Sequence, residues 1–317
     1  MPLDPRQTAF VFPGQGSQIV GMGKTLAGQF SAARAAFEEA DETLGFALSR
    51  VCLDGPDEAL NDTENTQPAV LVHSVAALRA AREVLGADFR PAFVAGHSLG
   101  EATALHAAGA LEFADAVRLV RARGQLMKRA GVIAPGGMAA VMNLETPLIA
   151  ELCAQAAAET GKSVQIANDN CPGQVVISGD HDALERALAL MRERGARRMI
   201  KLAVSIAAHS PLMAVVQGEF GKGVNATPLR DPLLPVVGNV SAAPLLSLPE
   251  IRAELAAQLT SPVRWTESVR YMVAHGVTTF VELGPKDVLT GLLKRIERAA
   301  VGRLGGTGEE IAALADG

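Results

Sequence analysis

Short apolar runs alternate with longer segments of helical periodicity along most of the 317 residues. Residues 9–12 (Ala-Phe-Val-Phe) are an apolar run of strand length, followed by a Pro-Gly-Gln-Gly-Ser-Gln loop. Helical spacing of apolar positions covers about residues 23–44. Thr66 supplies an N-cap, and Pro68 a first-turn proline, for a helix running to about Val84. The next apolar run, residues 92–95, ends at Gly96; the Ala-rich stretch 99–108 after it predicts a helix. A further helix is predicted over about 113–130.

After Ala134-Pro135-Gly136-Gly137 the rhythm changes. Residues 138–143 read as a strand, 147–159 as a helix, 163–167 and 174–178 as strands, 181–194 as a helix and 198–204 as a strand. That β-α-β-β-α-β order is a ferredoxin-like unit. The longer pattern then resumes, with strands at 234–238 and 278–283 and helices at 250–259, 266–275 and 288–298. Strands that alternate with helices build a mostly parallel sheet covered on both faces. The expected architecture is therefore an α/β body, residues 1–134 and 205–317, with a small α+β subdomain, residues 135–204, inserted into it. A cleft between the two is where a ligand site is expected. The Gly-rich tail around residues 303–307 is expected to be loose.

Composition narrows the class. The chain is 49% hydrophobic, yet no apolar run approaches the roughly 20 residues that span a bilayer. No signal-peptide pattern opens it, so a cytoplasmic enzyme without membrane contact is expected. Cys52, Cys153 and Cys171 are scattered and form no CxxC pair, so neither a disulfide framework nor a metal site is expected. The net charge is −5. The basic cluster Arg192, Arg194, Arg197, Arg198 and Lys201 lacks interleaved aromatics, which argues against nucleic acid. It reads as a solvated helix face or as a dock for an acidic partner.

The chemistry concentrates at Gly96-His97-Ser98-Leu99-Gly100-Glu101. Gly-x-Ser-x-Gly between a strand and a helix is the nucleophile elbow, which pushes a serine hydroxyl out at a helix N-terminus. There, backbone N–H groups and the helix dipole favour a developing oxyanion. A serine nucleophile needs a base, and six histidines are available. His73 and His106 lie in Ala-rich helices; His181 and His275 sit at predicted helix ends; His97 follows the strand next to Ser98 and points to its opposite face. His209 comes just after the chain returns to the body, which puts it on the cleft wall either as the base or as a satisfied structural histidine. No Asp is placed as a third member, so a backbone or amide carbonyl is expected to orient the ring. Arg123 lies on the apolar stripe Ala116, Val120, Arg123, Met127, Ala130. It either snorkels to the surface or grips a carboxylate with its fork. Gln15, between Gly14 and Gly16, can bring an amide or a backbone N–H to a reacting oxygen.

Taken together these residues resemble the malonyl-CoA:acyl-carrier-protein transacylase family, including the acyltransferase domains of polyketide synthases. The resemblance runs from about residue 8 to 298. It rests on Phe10 to Gln18, Gly96 to Glu101, Arg123-Gly124-Gln125, Asn168 to Gly179, Val204 to Met213, Gln258 to Trp265 and Glu282-Leu283-Gly284-Pro285. It implies an α/β-hydrolase-like body with a ferredoxin-like insert. It implies Ser98 as nucleophile, His209 as base and Gln258 as the residue whose carbonyl orients the histidine. The Gln15 and Leu99 backbone N–H groups would form the oxyanion hole. Arg123 would hold the malonyl carboxylate, and His97, Asn168 and Ala208 would contact substrate. The implied partners are malonyl-CoA and an acyl carrier protein, whose phosphopantetheine thiol takes the acyl group in fatty-acid synthesis; no cofactor of the enzyme's own is implied.

Two positions depart from the family pattern. Malonyl-selective relatives usually carry Phe where this chain has Ala208, which leaves room for methylmalonyl, while Leu99 is the malonyl-like choice. Lys286-Asp287 stands where Gly-Lys is usual. A trans-acting polyketide acyltransferase and an acyl-thioester hydrolase are the alternative readings; Arg123 argues against the hydrolase.

Overall fold

The computed structural model of the chain describes residues 2–315. In chain order its strands are β1 (Thr8–Phe12), β2 (Phe93–Gly96), β3 (Gly137–Met142), β4 (Val164–Cys171), β5 (Gln174–Gly179), β6 (Arg198–Lys201), β7 (Val236–Val237), β8 (Pro244–Leu245), β9 (Thr279–Glu282) and β10 (Val301–Leu304). The helices are α1 (Lys24–Gln29), α2 (Ser31–Leu44), α3 (Leu48–Asp54), α4 (Asp57–Asn61), α5 (Thr63–Leu85), α6 (Gly100–Ala107), α7 (Phe113–Ile133), α8 (Thr146–Thr160), α9 (His181–Glu193), α10 (Ala214–Ala226), α11 (Leu248–Gln258), α12 (Trp265–Ala274), α13 (Val288–Ile296) and α14 (Gly308–Ala313).

Six strands form the body sheet in the order β10-β9-β1-β2-β7-β8, parallel except for the short edge strand β8. Both faces are covered, which is why β1 is apolar throughout. Phe10 and Phe12 pack into one core with α5 residues such as Leu71 and Val75. Ala9 and Val11 pack into the other with Trp265 and Phe280. From β1 the chain extends the sheet through β2 and β7 on one side, then crosses to β9 and β10 on the other. The loops after β1, β2, β7 and β9 thus share the carboxyl edge around a topological switch, where α/β sheets bind ligands.

The second sheet, β4-β5-β3-β6, is antiparallel in every pairing. With α8 and α9 it completes the β-α-β-β-α-β order. Its strands alternate between two environments. Ala139, Val141, Val175 and Ile177 meet α8 and α9 in a core of their own. Met138 and Val176 turn the other way, join the body core and wall the cleft.

The structure departs from the periodicity in instructive places. The helix expected from Thr66 begins at Thr63, because the Asp62 side chain caps it by accepting from the Glu64 N–H. Pro68 therefore lies inside the helix and cannot donate to the Glu64 carbonyl; Arg121 donates to that carbonyl instead, at 2.7 Å. Residues 23–44 break into α1 and α2 at Phe30, whose backbone is extended. The strands expected at 234–238 and 198–204 shorten to β7 and β6. The tail is not loose: β10 pairs in parallel with β9, and Thr307 and Glu310 form a capping box on α14. A Cβ at Gly306 would lie 2.2 Å from the Gly284 carbonyl, so that glycine serves close packing.

Candidate active site

The elbow is built by steric exclusion. A Cβ on Gly96 would lie 1.9 Å from the Gly100 carbonyl, and one on Gly100 would lie 2.2 Å from the Phe12 carbonyl. Only glycines at both places let β2 turn into α6 against the end of β1. The turn leaves Ser98 at φ +53°, in the left-handed region that a side chain occupies at a cost. Its Oγ faces a cavity of about 640 Å³ between the two sheets, shared with Gln15, Arg123, Met138, Asn168 and His209.

His209 meets Ser98 from the far side of the cleft, with Nε2 at 2.8 Å from Oγ. Its Nδ1 lies 3.0 Å from the Gln258 carbonyl and 3.1 Å from the Ser261 carbonyl. Two carbonyls can only accept, so Nδ1 carries the proton and Nε2 is free to take one from Ser98. His209 is itself at φ +57°. Gln165 braces that conformation by donating to the His209 carbonyl at 2.8 Å. Burial, then the charge of Arg123, push the His209 imidazole down to about 3. The ring therefore stays neutral over the working range, with Nε2 open to accept the Ser98 proton. Acylation of Ser98, followed in a single turnover, is expected to change less than about twofold between pH 7.5 and pH 5; an unshifted histidine would lose roughly 30-fold at the acid end. Quenched-flow measurement of the acyl-protein decides between the two.

Arg123 does not snorkel. It is 4% exposed, and it reaches the nucleophile itself, donating to Ser98 Oγ at 3.1 Å. Nε donates to Gln258 Oε1 at 3.1 Å and NH1 to Gln67 Oε1 at 2.7 Å. Every one of these acceptors is neutral, and among the described residues no carboxylate pairs with the guanidinium within ion-pair distance. Burial lowers its pKa to about 10, so it stays charged. A buried cation with neutral partners beside a nucleophile is the arrangement that a carboxylate-bearing acyl group completes.

The Gln15 side chain is engaged elsewhere, donating to Thr63 at 3.1 Å, so only its backbone N–H can serve the site. Among the described residues neither that N–H nor the one of Leu99, just before the first turn of α6, has a protein acceptor. A Cβ at Gly14 would lie 2.6 Å from the His97 carbonyl, so glycine lets the Gln15 loop settle onto the elbow. His97 and Asn168 line the cavity, His97 with Nε2 held by Asn170 at 2.8 Å. Ala208 lines it too.

Gln258 does more than its carbonyl implies. Its side chain also donates to the Ser98 carbonyl at 3.1 Å and to Glu101 at 2.5 Å. Glu101 and Asn239 complete the floor beneath the elbow. Asn239 accepts from the Ser98 N–H at 2.7 Å and donates to Glu101 through both its backbone and side-chain N–H, each at 2.8 Å. Burial, then the charge of Glu254, push the Glu101 carboxyl above the usual carboxylate range, and the hydrogen bonds from Asn239 and Gln258 act the other way. Sequence reasoning missed Asn239, Gln67 and Gln165, each a lone amide in an unremarkable segment. The signal available was a polar residue inside an apolar stretch, as at Gln67 in α5.

Lys286 is at φ +62°, which explains why glycine is the usual residue there; its Nζ lies 3.4 Å from the Gly16 carbonyl beside the cavity mouth. The basic cluster is exposed along the end of α9 and on β6, where Lys201 pairs with Glu185. Leu202, next after β6, lines the cavity.

The acyl transferase domain family model matches residues 9–304, which includes every residue of the site. Malonyl CoA-acyl carrier protein transacylase of Bacillus subtilis is 46% identical over 290 residues, 92% of this chain and 90% of that protein. The protein of the same name from Escherichia coli K12 is 45% identical, over 92% of this chain and 93% of its own. Among solved structures, malonyl-CoA:acyl carrier protein transacylase from Xanthomonas oryzae pv. oryzae superposes with TM-score 0.94 at 44% identity, covering 100% of this chain and 99% of that one. A malonyl-transacylase solved in complex with its type II PKS acyl-carrier protein gives TM-score 0.94 at 39% identity, over 98% of this chain and 99% of the other. With the elbow, the serine–histidine pair and the buried arginine in one cleft, and these likenesses running over nearly its full length, the chain belongs to the acyl transferase domain family.

Proposed function

We propose that this protein moves a malonyl group from CoA to the phosphopantetheine thiol of an acyl carrier protein, for fatty-acid synthesis. The observation that carries this reading is the buried Arg123 guanidinium, 3.1 Å from the nucleophile and bonded only to neutral groups. The names of the relatives, and the neighbour solved with its carrier protein, support it.

The reaction runs in two halves. Ser98 Oγ attacks the thioester carbonyl carbon while His209 Nε2 takes the hydroxyl proton. The Gln15 and Leu99 N–H groups face the oxygen that becomes negative. The C–S bond breaks, and His209 returns the proton to the departing CoA thiolate. The carrier-protein thiol then gives its proton to His209 and attacks the acyl-serine, and Ser98 leaves with that proton. Arg123 holds the carboxylate throughout, and His97 and Asn168 contact the acyl chain. No helix among the described residues is long and apolar enough to cross a membrane. The three cysteines are buried and unpaired, which supports placing the protein in the reducing cytoplasm.

Intact-protein mass after brief mixing with malonyl-CoA, methylmalonyl-CoA or acetyl-CoA tests the proposal. A malonyl adduct that holo acyl carrier protein discharges is expected. Steady release of CoA from acetyl-CoA with no adduct would overturn it in favour of hydrolysis. A small residue at Ala208 in the cavity wall favours a second reading, in which an α-methyl branch is also accepted; a methylmalonyl adduct of comparable yield is its signature.

A further inference from the structure

The strained elbow is held by a closed ring of hydrogen bonds, and that ring has one anchor. Ser98 is gripped on both sides of its backbone: Asn239 Oδ1 accepts its N–H at 2.7 Å, and Gln258 Nε2 donates to its carbonyl at 3.1 Å. Asn239 and Gln258 come from distant parts of the chain, the loop after β7 and the end of α11. They converge on the two oxygens of a single carboxylate, Glu101, which is 0% exposed. Oε1 takes both Asn239 donors at 2.8 Å, and Oε2 takes Gln258 Nε2 at 2.5 Å. Asn239 also donates to the Gly96 carbonyl at 2.7 Å, tying the ring to the end of β2. From Gln258 the chain of contacts continues, because its Oε1 accepts from Arg123 Nε.

We infer that Glu101 is a positioning residue with two separable outputs: through Asn239 it holds Ser98 in its reactive backbone conformation, and through Gln258 it sets the Arg123 guanidinium for the acyl carboxylate. The inference rests on the proposed function for the meaning of its second output. Three facts favour it over plain burial of a polar group. All the side-chain contacts of the carboxylate are with N–H donors, so the site is built for an acceptor at both oxygens. Glu101 sits in the first turn of α6, where the helix dipole favours negative charge. And the carboxyl is wholly buried, where a hydrophobic residue of similar volume would fill the space without the cost of desolvating an acidic group.

Amide chemistry separates the two arms. In Glu101→Gln, the retained Oε1 still accepts from Asn239, but the new NH₂ meets the Gln258 NH₂, donor against donor. If Gln258 flips to relieve this, its NH₂ faces Arg123 Nε. The variant is expected to lose most of its preference for malonyl over acetyl, roughly tenfold or more, and to form the malonyl adduct about 10²-fold more slowly. Asn239→Ala removes the acceptor of the Ser98 N–H and leaves Gln258 and Arg123 in place. It is expected to slow both acyl groups equally and to keep the preference.

The experiment is single-turnover acylation of wild type and both variants by malonyl-CoA and acetyl-CoA, with a thermal melt of each and the rate of Ser98 labelling by a fluorophosphonate. Loss of preference in Glu101→Gln only, with slower labelling in Asn239→Ala, supports the inference. Wild-type rates and preference in Glu101→Gln would overturn it, as would equal slowing of both acyl groups in that variant. If Glu101→Gln fails to melt cooperatively, Asn239→Ala decides alone: a labelling rate equal to wild type rejects the clamp. A wild type that is labelled by fluorophosphonate yet takes no malonyl group would sink the proposed function while leaving the clamp on Ser98 testable by labelling.

Discussion

Ser98→Ala is expected to fold, to form no acyl adduct with malonyl-CoA, and to lose about 10⁴- to 10⁶-fold in transfer to the carrier protein. The size of the effect follows from how many groups converge on one oxygen. His209 Nε2 at 2.8 Å and Arg123 at 3.1 Å both address Ser98 Oγ. Removing that oxygen leaves a base with no proton to take and an acyl group with nothing to bond to. The remaining donors can still bind and polarise the thioester, so some acceleration of CoA release by water survives. Transfer assayed by carrier-protein mass, beside CoA release assayed by thiol reagent, separates the two. An adduct persisting in the variant would place the nucleophile elsewhere.

Arg123→Ala is the second large effect, and it falls on selectivity. A charge-assisted grip on a carboxylate contributes about 1.5–3 kcal/mol, so malonyl should lose about 10- to 150-fold relative to acetyl. The ratio is the informative quantity, because the variant also leaves Gln67 Oε1 and Gln258 Oε1 without their donor and lowers the general competence of the site. Comparing kcat/KM for malonyl-CoA and acetyl-CoA within the same variant cancels that shared loss. A ratio unchanged from wild type would show that Arg123 supports the elbow without reading the substrate.

The parts of this site legible in the sequence are those fixed by local geometry. Gly96, Ser98 and Gly100 announce a strand–helix elbow because their spacing is a steric requirement within five residues. His209 was narrowed by where the chain re-enters the body, and Arg123 by its place on an apolar stripe. The β-α-β-β-α-β order was readable from periodicity alone because each element carries its own apolar face, although β3 pairs with β5 and β6, strands remote from it in sequence. Asn239 and Gln67 were not readable, because they act across the fold, over sequence separations of 141 and 56 residues. Nothing in their local sequence encodes a partner. The start of α5 was misplaced for a related reason: Thr66 looks like a cap, but Asp62 holds that position, and Thr66 instead donates to the Leu60 carbonyl. The tail looked loose because glycine there was read as freedom, whereas Gly306 is a requirement for contact.

Both members of the catalytic pair occupy left-handed backbone, Ser98 at φ +53° and His209 at φ +57°. Each costs of order 1–3 kcal/mol, which the surrounding fold must sustain. The direction of improvement under heat is therefore the direction of lost chemistry. A library of this protein screened for thermal survival alone would enrich glycine at Ser98, where relief of the strain outweighs the loss of a small side chain, and drift toward robust, inert molecules; at His209 the buried ring and its hydrogen bonds hold the residue in place. Activity has to be selected at every round, because here the nucleophile is also a residue that the fold would readily do without.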